Sequence, residues 1–402
     1  MQVGFFFWPY TLELCEKLAE RADRYGYAMI GIADTPGNAM DPWVSATVVA
    51  QAEPLRRGAG AVVVRQVGLA PVADIEEVAE RLDGVALAAL AEHADRYGYA
   101  MIGIADTPGN AMDPWVSAAM VARASRRARV AVCVTNLLTR HPAISAAAIA
   151  SLDHVSNGRA VLGIGAGHSG TKNVGLPKSR ANELADGVTF IKTLLKGAPA
   201  TLGGASAHLP WIKRAPPVFL AASHPQPLQA AGRTADGVFA NYGLAADNIR
   251  DSRAHIVAGA KAAGRASGDI EIWQIAALDC NEDRNAARNK IGAMLAFLAG
   301  YVIGDKHLET RGVPEPLRAP LLELRRRYST RPGDADIRLV EELGLFDYLS
   351  RRLSICGNPQ DCLAQALAAK AAGAGRLMLT VSLASDPVRT VELFGEHVLP
   401  KL

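Results

Sequence analysis

Between residues 129 and 170 the chain alternates in a way that leaves few folds open. An apolar run, 129–135, ends in a polar exit from Asn136 to His141. Pro142 then opens a helical pattern that stops near Ser156, and an Asn157-Gly158 turn leads into a second apolar run, 159–164. That run empties into a loop carrying Gly163, Gly165, Gly167 and Gly170. Strand, short exit, amphipathic helix and strand is the unit that joins parallel strands, because parallel neighbours need a long crossover. In such folds ligands meet the chain at the C-terminal ends of the strands. Polar groups gather at both exits here, so this segment marks the expected active face.

The alternation continues on either side. Strand-like runs fall at 2–7, 29–33 or its copy described below, 130–135, 160–164, 217–221, 237–240, 271–278 and 376–381, eight in all. Helical patterns follow at 227–233, 245–263, 285–301 and 387–398. The expectation is an α/β fold, a (β/α)8 TIM barrel formed by one domain over 1–402, with departures at 195–215 and 302–357. A doubly wound open sheet is the rival. Against it, the glycine loop lacks the GxGxxG fingerprint, since His168 stands where the last glycine belongs. The loop also follows the fourth strand rather than the first.

Residues 22–46 and 94–118 are identical, offset by 72 positions. Repeat architectures diverge and recur at least three times. A perfect pair instead points to a recent duplication or an artefact of the sequence, rather than to two functional copies in two domains. Removing one offset leaves 330 residues, still ample for a barrel. A closed barrel has one slot for this strand, so 47–118 is expected to contain a surplus stretch. The first copy is led in by a helical pattern with Leu12, Cys15, Leu18, Ala19 and Ala22 on one face, the second by one with Ile75, Val78, Leu82 and Val85. Only the second copy runs straight into the strand at 129, which favours it for the slot.

Composition narrows the function classes. With 50% hydrophobic and 21% charged residues the chain can bury a large core. A net charge of +3, without aromatic-basic interleaving, gives no case for nucleic acid. The run Arg325-Arg326-Arg327 reads as a solvated helix face. No apolar stretch approaches the ~20 residues of a membrane span, and the N-terminus lacks a signal peptide's basic start. Cys15, Cys133, Cys280, Cys356 and Cys362 show neither CxxC pairing nor a zinc pattern. A reduced cytoplasmic protein without a metal is the expectation.

Several motifs in order carry a family resemblance: DPWVSAAMVARASRRARVAVCVTNLLTRHPAISAAAIASLDHVSNGRAVLGIGAG from Asp113, then PVFLAASHP, TADGVFAN and DPVRTVELFGEHVLP. Together they resemble the bacterial luciferase-like superfamily of flavin- and deazaflavin-dependent oxidoreductases. Within it the chain is most similar to the methylenetetrahydromethanopterin reductase-like branch, which uses coenzyme F420. The resemblance implies a luciferase-like barrel holding its flavin-type ring at the strand C-termini. It places a bulge with a non-prolyl cis peptide on Cys133-Val134-Thr135-Asn136. Thr135 and Asn136 offer hydrogen-bonding groups at a strand exit, though Asn136 alternatively caps the next turn.

By the same resemblance Gly165, Ala166, Gly167 and Ser169 lie along the cofactor, where glycines let the backbone come close to a ligand. His168 stands where relatives often carry an acid, and its role as acid, phosphate partner or plain surface residue is open. Ala222, Ser223 and His224 resemble the phosphate-binding exit, with His224 in place of the usual glycine; Ser223 is alternatively a plain N-cap. Asp106 and Thr107, or Asp34 and Thr35 if the first copy is used, fall where relatives place polar residues facing the ring. His141 either lines the site or braces a helix start, and Trp8 and Tyr10 either wall the pocket or pack. The implied activity is hydride transfer between F420, or alternatively FMN, and an organic substrate. The alternatives are an FMN-dependent monooxygenase fed by a separate reductase, and a non-catalytic flavin-binding barrel inactivated by the duplication. Relatives often form homodimers.

Overall fold

The computed structural model describes residues 1–7, 84–108, 111–303, 308–309, 311–328, 338–381 and 383–402. The first copy of the repeat lies outside them, and with it Trp8, Tyr10, Asp34 and Thr35.

Eight parallel strands close on themselves. In chain order they are β1 (Gln2–Phe7), β2 (Met101–Ile104), β3 (Arg129–Asn136), β4 (Ala160–Gly165), β7 (Val218–Ala222), β8 (Gly237–Ala240), β9 (Glu271–Cys280) and β11 (Arg376–Thr380). β11 pairs with both β9 and β1, and β8 pairs with β9, so the ring has no open edge. Helices alternate with the strands: α1 (Gly84–Tyr97), α2 (Pro114–Ala124), α3 (Pro142–Val155), a short α4 (Ser169–Lys172), α5 (Ala181–Leu195), α6 (Pro225–Thr234), α7 (Ala246–Ala262) and α8 (Arg284–Val302). This is the expected barrel, and it excludes the open sheet.

Because helices cover the outside and side chains fill the inside, strand residues are buried on both faces and read as continuous apolar runs. Alternate positions still separate. Met101, Ala131, Cys133, Val161, Phe219, Phe239 and Trp273 meet inside the barrel, while Ile102, Val130, Val132, Leu162 and Val238 pack outward under the helices. At the N-terminal end Glu271 pairs with Arg129 at 2.7 Å and Arg376 at 3.7 Å. Chemistry is left to the opposite end.

The second copy of the repeat fills the slot between β1 and β3. Its Asp113 caps α2, with Oδ1 accepting from Trp115 N at 2.9 Å and Val116 N at 3.1 Å, and Pro114 supplies a fixed φ at the first helical position.

The first departure holds a hairpin and the second has helices of its own. β5 (Ala200–Leu202) and β6 (Ala205–Ala207) form a hairpin whose turn residues, Gly203 and Gly204, have φ of 57° and 83°. The stretch after α8 contains α9 (Glu315–Arg327), α10 (Leu339–Glu342) and α11 (Phe346–Leu353), which share an apolar core with α8 through Leu295, Leu298, Leu324 and Leu349. It ends in a ninth strand, β10 (Ser354–Gly357), paired with the last residues of β9. That strand lies inside the stretch read from the sequence as an insertion, so it was not expected. α12 (Pro359–Ala371) and α13 (Pro387–His397) complete the outer layer. Among the described residues no helix is long and apolar enough to cross a membrane.

α1 buries Leu87, Leu90, Ala91 and Ala94. The residues 72 positions earlier are Cys15, Leu18, Ala19 and Ala22, apolar at every point. Deleting 47–118 therefore restores an identical β2 behind a helix with a matching face. The variant is expected to be soluble, with a Tm within about 5 °C of the full chain, the largest loss being Leu87 to cysteine. Differential scanning fluorimetry checks this, and an insoluble product would show that 47–118 is integral to the fold.

Candidate active site

The C-terminal ends of β2, β3, β4, β7 and β8 surround a cavity of about 340 Å³. One wall is made by β3. Its register against β4 shifts between Val132 and Thr135, and the peptide Cys133–Val134 within that bulge is cis. β4 accommodates the bulge by lacking side chains. A Cβ on Gly165 would come within 2.8 Å of Val134 Cγ2, and one on Gly163 within 2.7 Å of the Val132 carbonyl oxygen. Burial pushes the Cys133 thiol up, so it serves as an apolar wall and not as a thiolate nucleophile.

At the β2 exit Asp106 Oδ2 accepts a hydrogen bond from Thr135 Oγ1 at 2.6 Å. Burial raises the Asp106 pKa, an effect opposed by the Thr135 bond and by Arg140 and reinforced by Asp113. The neighbouring Thr107 Oγ1 lies 3.3 Å from Ser169 Oγ, tying the β2 exit to the glycine loop. Asn136 is occupied differently. Its Oδ1 accepts from Leu138 N and Thr139 N, both at 2.9 Å, so the side chain builds the turn while the residue still lines the cavity.

His168 makes a 3.1 Å hydrogen bond between Nε2 and the Tyr328 hydroxyl, and its ring meets Phe297 edge-on. Burial, with Lys178, Lys172 and Arg325 nearby, pushes its pKa down to about 3. At neutral pH it is an uncharged hydrogen-bonding wall, which sets aside an imidazolium acid at this position.

At the β7 exit His224, not Ser223, is the N-cap of α6. The helix begins Pro225-Gln226-Pro227, and proline carries no N–H. The first turn therefore offers fewer backbone donors than a helix start usually does. His224 and Ser223 both line the cavity.

The structure thus brings Asp106, Thr107, Cys133, Val134, Thr135, Asn136, Gly165, Ala166, Gly167, His168, Ser169, Ala222, Ser223 and His224 to one cavity. His141 is not among its residues; it caps α3, Nδ1 accepting from Ala143 N at 3.2 Å. Lys178, Asn241, Ile275, Met294, Phe297 and Thr380 also line the cavity and escaped the sequence reading. Of these only Asn241 stands in a motif that carried the resemblance. Met294 and Phe297 sit on the face of α8 turned to the site, which no pattern in one helix distinguishes from a core face. Among the described residues no cluster of His, Cys, Asp or Glu is suited to hold a metal ion.

A closed parallel barrel with a bulged third strand beside a glycine loop is the setting in which the comparisons fall. The sequence profile of the luciferase-like monooxygenase family matches residues 76–376. The chain belongs to that family, a class of oxidoreductases. It is similar to 5,10-methylenetetrahydromethanopterin reductase of Methanolobus tindarius, 25% identical over 321 residues that cover 78% of this chain and 95% of the relative. It is also similar to F420-dependent hydroxymycolic acid dehydrogenase of Mycobacterium tuberculosis, 32% identical over 228 residues, 52% of this chain and 61% of the relative. Among solved structures, the coenzyme F420 dependent tetrahydromethanopterin reductase of Methanopyrus kandleri superposes with a TM-score of 0.66 at 23% identity, covering 80% of this chain and 96% of that one.

Two outcomes follow from the geometry. Gly163→Ala forces a methyl group against a backbone carbonyl and the branched Val134, and should cost about 1–3 kcal/mol of stability in urea unfolding. His168 takes up a proton more readily unfolded than folded, so its contribution to stability is complete above about pH 6.5 and is lost as pH falls toward about 3. The drop in urea midpoint between pH 7 and pH 5 should accordingly be smaller in His168→Gln than in the parent.

Proposed function

We propose that this cavity holds a deazaflavin ring of the F420 type, and that the protein transfers a hydride between that ring and an organic substrate. The observation that carries the reading is the β3 bulge facing the two spare positions of β4, inside a cavity lined by both apolar and polar residues. A cavity of about 340 Å³ lies in the range that takes small ligands. A planar ring needs an apolar backing, and Val134, Cys133, Ala221 and Ile275 are apolar residues of the cavity wall. Relatives named as F420-dependent reductases and dehydrogenases support the cofactor and the reaction type. FMN is the second candidate, because the matching family profile is that of monooxygenases, and such an enzyme would draw reduced flavin from a partner reductase.

Bound there, a flavin-type ring supplies two-electron chemistry that no side chain here can provide. The protein's part is to bind, orient and manage protons. Asp106 is the residue placed to hold a proton. Burial raises its pKa, so it takes up a proton more readily than an exposed carboxylate would, and the Thr135 hydrogen bond holds Oδ2 in place. Thr135 in turn is held in the bulge, so the acid and the ring backing are set by one strand. Neutral His168 and the Thr107–Ser169 pair shape the glycine-loop wall. Ser223 and His224 stand at the end assigned to the cofactor phosphate.

Titration of the purified protein with F420 and with FMN, followed by fluorescence, tests the reading. F420 should bind more tightly. Asp106→Asn should leave its Kd within threefold while lowering turnover at least tenfold, in keeping with loss of a positioned acid. Binding of neither cofactor would refute the proposal, and tighter binding of FMN would move it to the monooxygenase reading.

A further inference from the structure

Arg311 lies in the stretch between α8 and α9, and 87 positions separate it from His224. Even so, it is buried against the β7 exit with only 9% of its surface exposed. Nη2 donates to the Ser223 carbonyl oxygen at 2.8 Å and to His224 Nδ1. Nη1 donates to the Val302 carbonyl at the end of α8 and lies 3.4 Å from that of Ile303. The guanidinium stands 5.3 Å from the centre of the Tyr242 ring, just past β8. Both arms are thus taken up by protein, which makes Arg311 a brace between the insertion and the exit rather than a direct ligand.

A guanidinium has donors and no acceptor. The His224 nitrogen it meets must therefore be the acceptor, and a neutral imidazole then carries its proton on Nε2. That polarity matters because Pro225 and Pro227 have removed backbone donors from the same turn. We infer that Arg311 is the positioning residue of this end of the cavity, holding the Ser223–His224 turn and presenting His224 as an Nε2–H donor to the cofactor phosphate. The inference rests on the reading that the phosphate lies at this exit. A lysine cannot substitute, because one ammonium does not span the Ser223 carbonyl, His224 Nδ1 and the Val302 carbonyl in a single plane.

Two ligand pairs differing by the phosphate separate the possibilities: FMN with riboflavin, and F420 with its phosphate-free deazaflavin core. The wild-type full-length protein should favour the phosphate-bearing member of each pair. Equal affinity within both pairs would mean that no phosphate site exists at this exit, and would overturn the underlying reading together with the inference. If the preference is present, Arg311→Met should reduce it at least tenfold while riboflavin affinity changes less than twofold. Adding His224→Ala to Arg311→Met should lower phosphate preference no further than His224→Ala alone, as for residues acting in series. An equal loss for both members of a pair would make Arg311 a structural prop only, and retention of the preference in Arg311→Met would overturn its role while sparing the phosphate site. Should Arg311→Met fail to fold, Arg311→Lys takes its place under the same criteria. In either case ¹⁵N NMR of the wild-type protein should show His224 protonated on Nε2, and a proton on Nδ1 would refute the inference.

Discussion

The accommodation of Val134 by two glycines is the constraint on which the rest of the active face depends. Strand β3 leaves its regular register for the length of one bulge, and the extra volume has to go somewhere. In a closed barrel the neighbouring strand cannot move aside, because it is hydrogen-bonded on its other edge to β7. Space is made instead by omitting side chains at Gly163 and Gly165. β4 runs from these glycines straight into the loop that carries His168 and Ser169, so the position of that loop is set by what β3 requires. Thr135, the residue that restores the register, is the one that reaches Asp106. A packing solution between two strands therefore places three walls of the cavity at once.

Burial then decides how those walls behave. Asp106 and His168 are both withdrawn from water, and desolvation favours the uncharged form of each: the carboxyl keeps its proton more readily and the imidazole gives its own up. Both are also engaged in hydrogen bonds, Asp106 with Thr135 and His168 with Tyr328. The histidine stands at the β4 exit and the acid two strands away, at the β2 exit.

The stretch after α8 is more than decoration on a barrel. Its helices have their own apolar core, which gives it the rigidity to hold side chains at a distance from the chain segments they serve. Tyr328 meets His168 and Arg311 meets His224. The two histidines, at the β4 and β7 exits, are each met by a polar side chain from this one insertion. β10, its last element, joins the end of β9 and ties the insertion to the sheet.

The sequence by itself determined the barrel. Alternating strand and helix patterns, the glycine loop after the fourth strand and the polar residues at each exit are local signals, each read over a dozen residues or so. They marked the strand exits, and the family resemblance placed Asp106, Thr135, His168 and His224 at them. Tertiary structure alone decided which partners those residues meet. Thr135 and Asp106 are 29 positions apart, His168 and Tyr328 160, and no periodicity relates such pairs. It also decided which residues of α8 turn to the site, and that Asn136 spends its side chain on a turn. Because the two copies are identical, only their flanking sequence pointed to the second for this slot, and that is the copy found there. Local pattern depends on backbone geometry, which the sequence states directly, whereas protonation, tautomer and partner depend on what the closed barrel brings within a few ångströms.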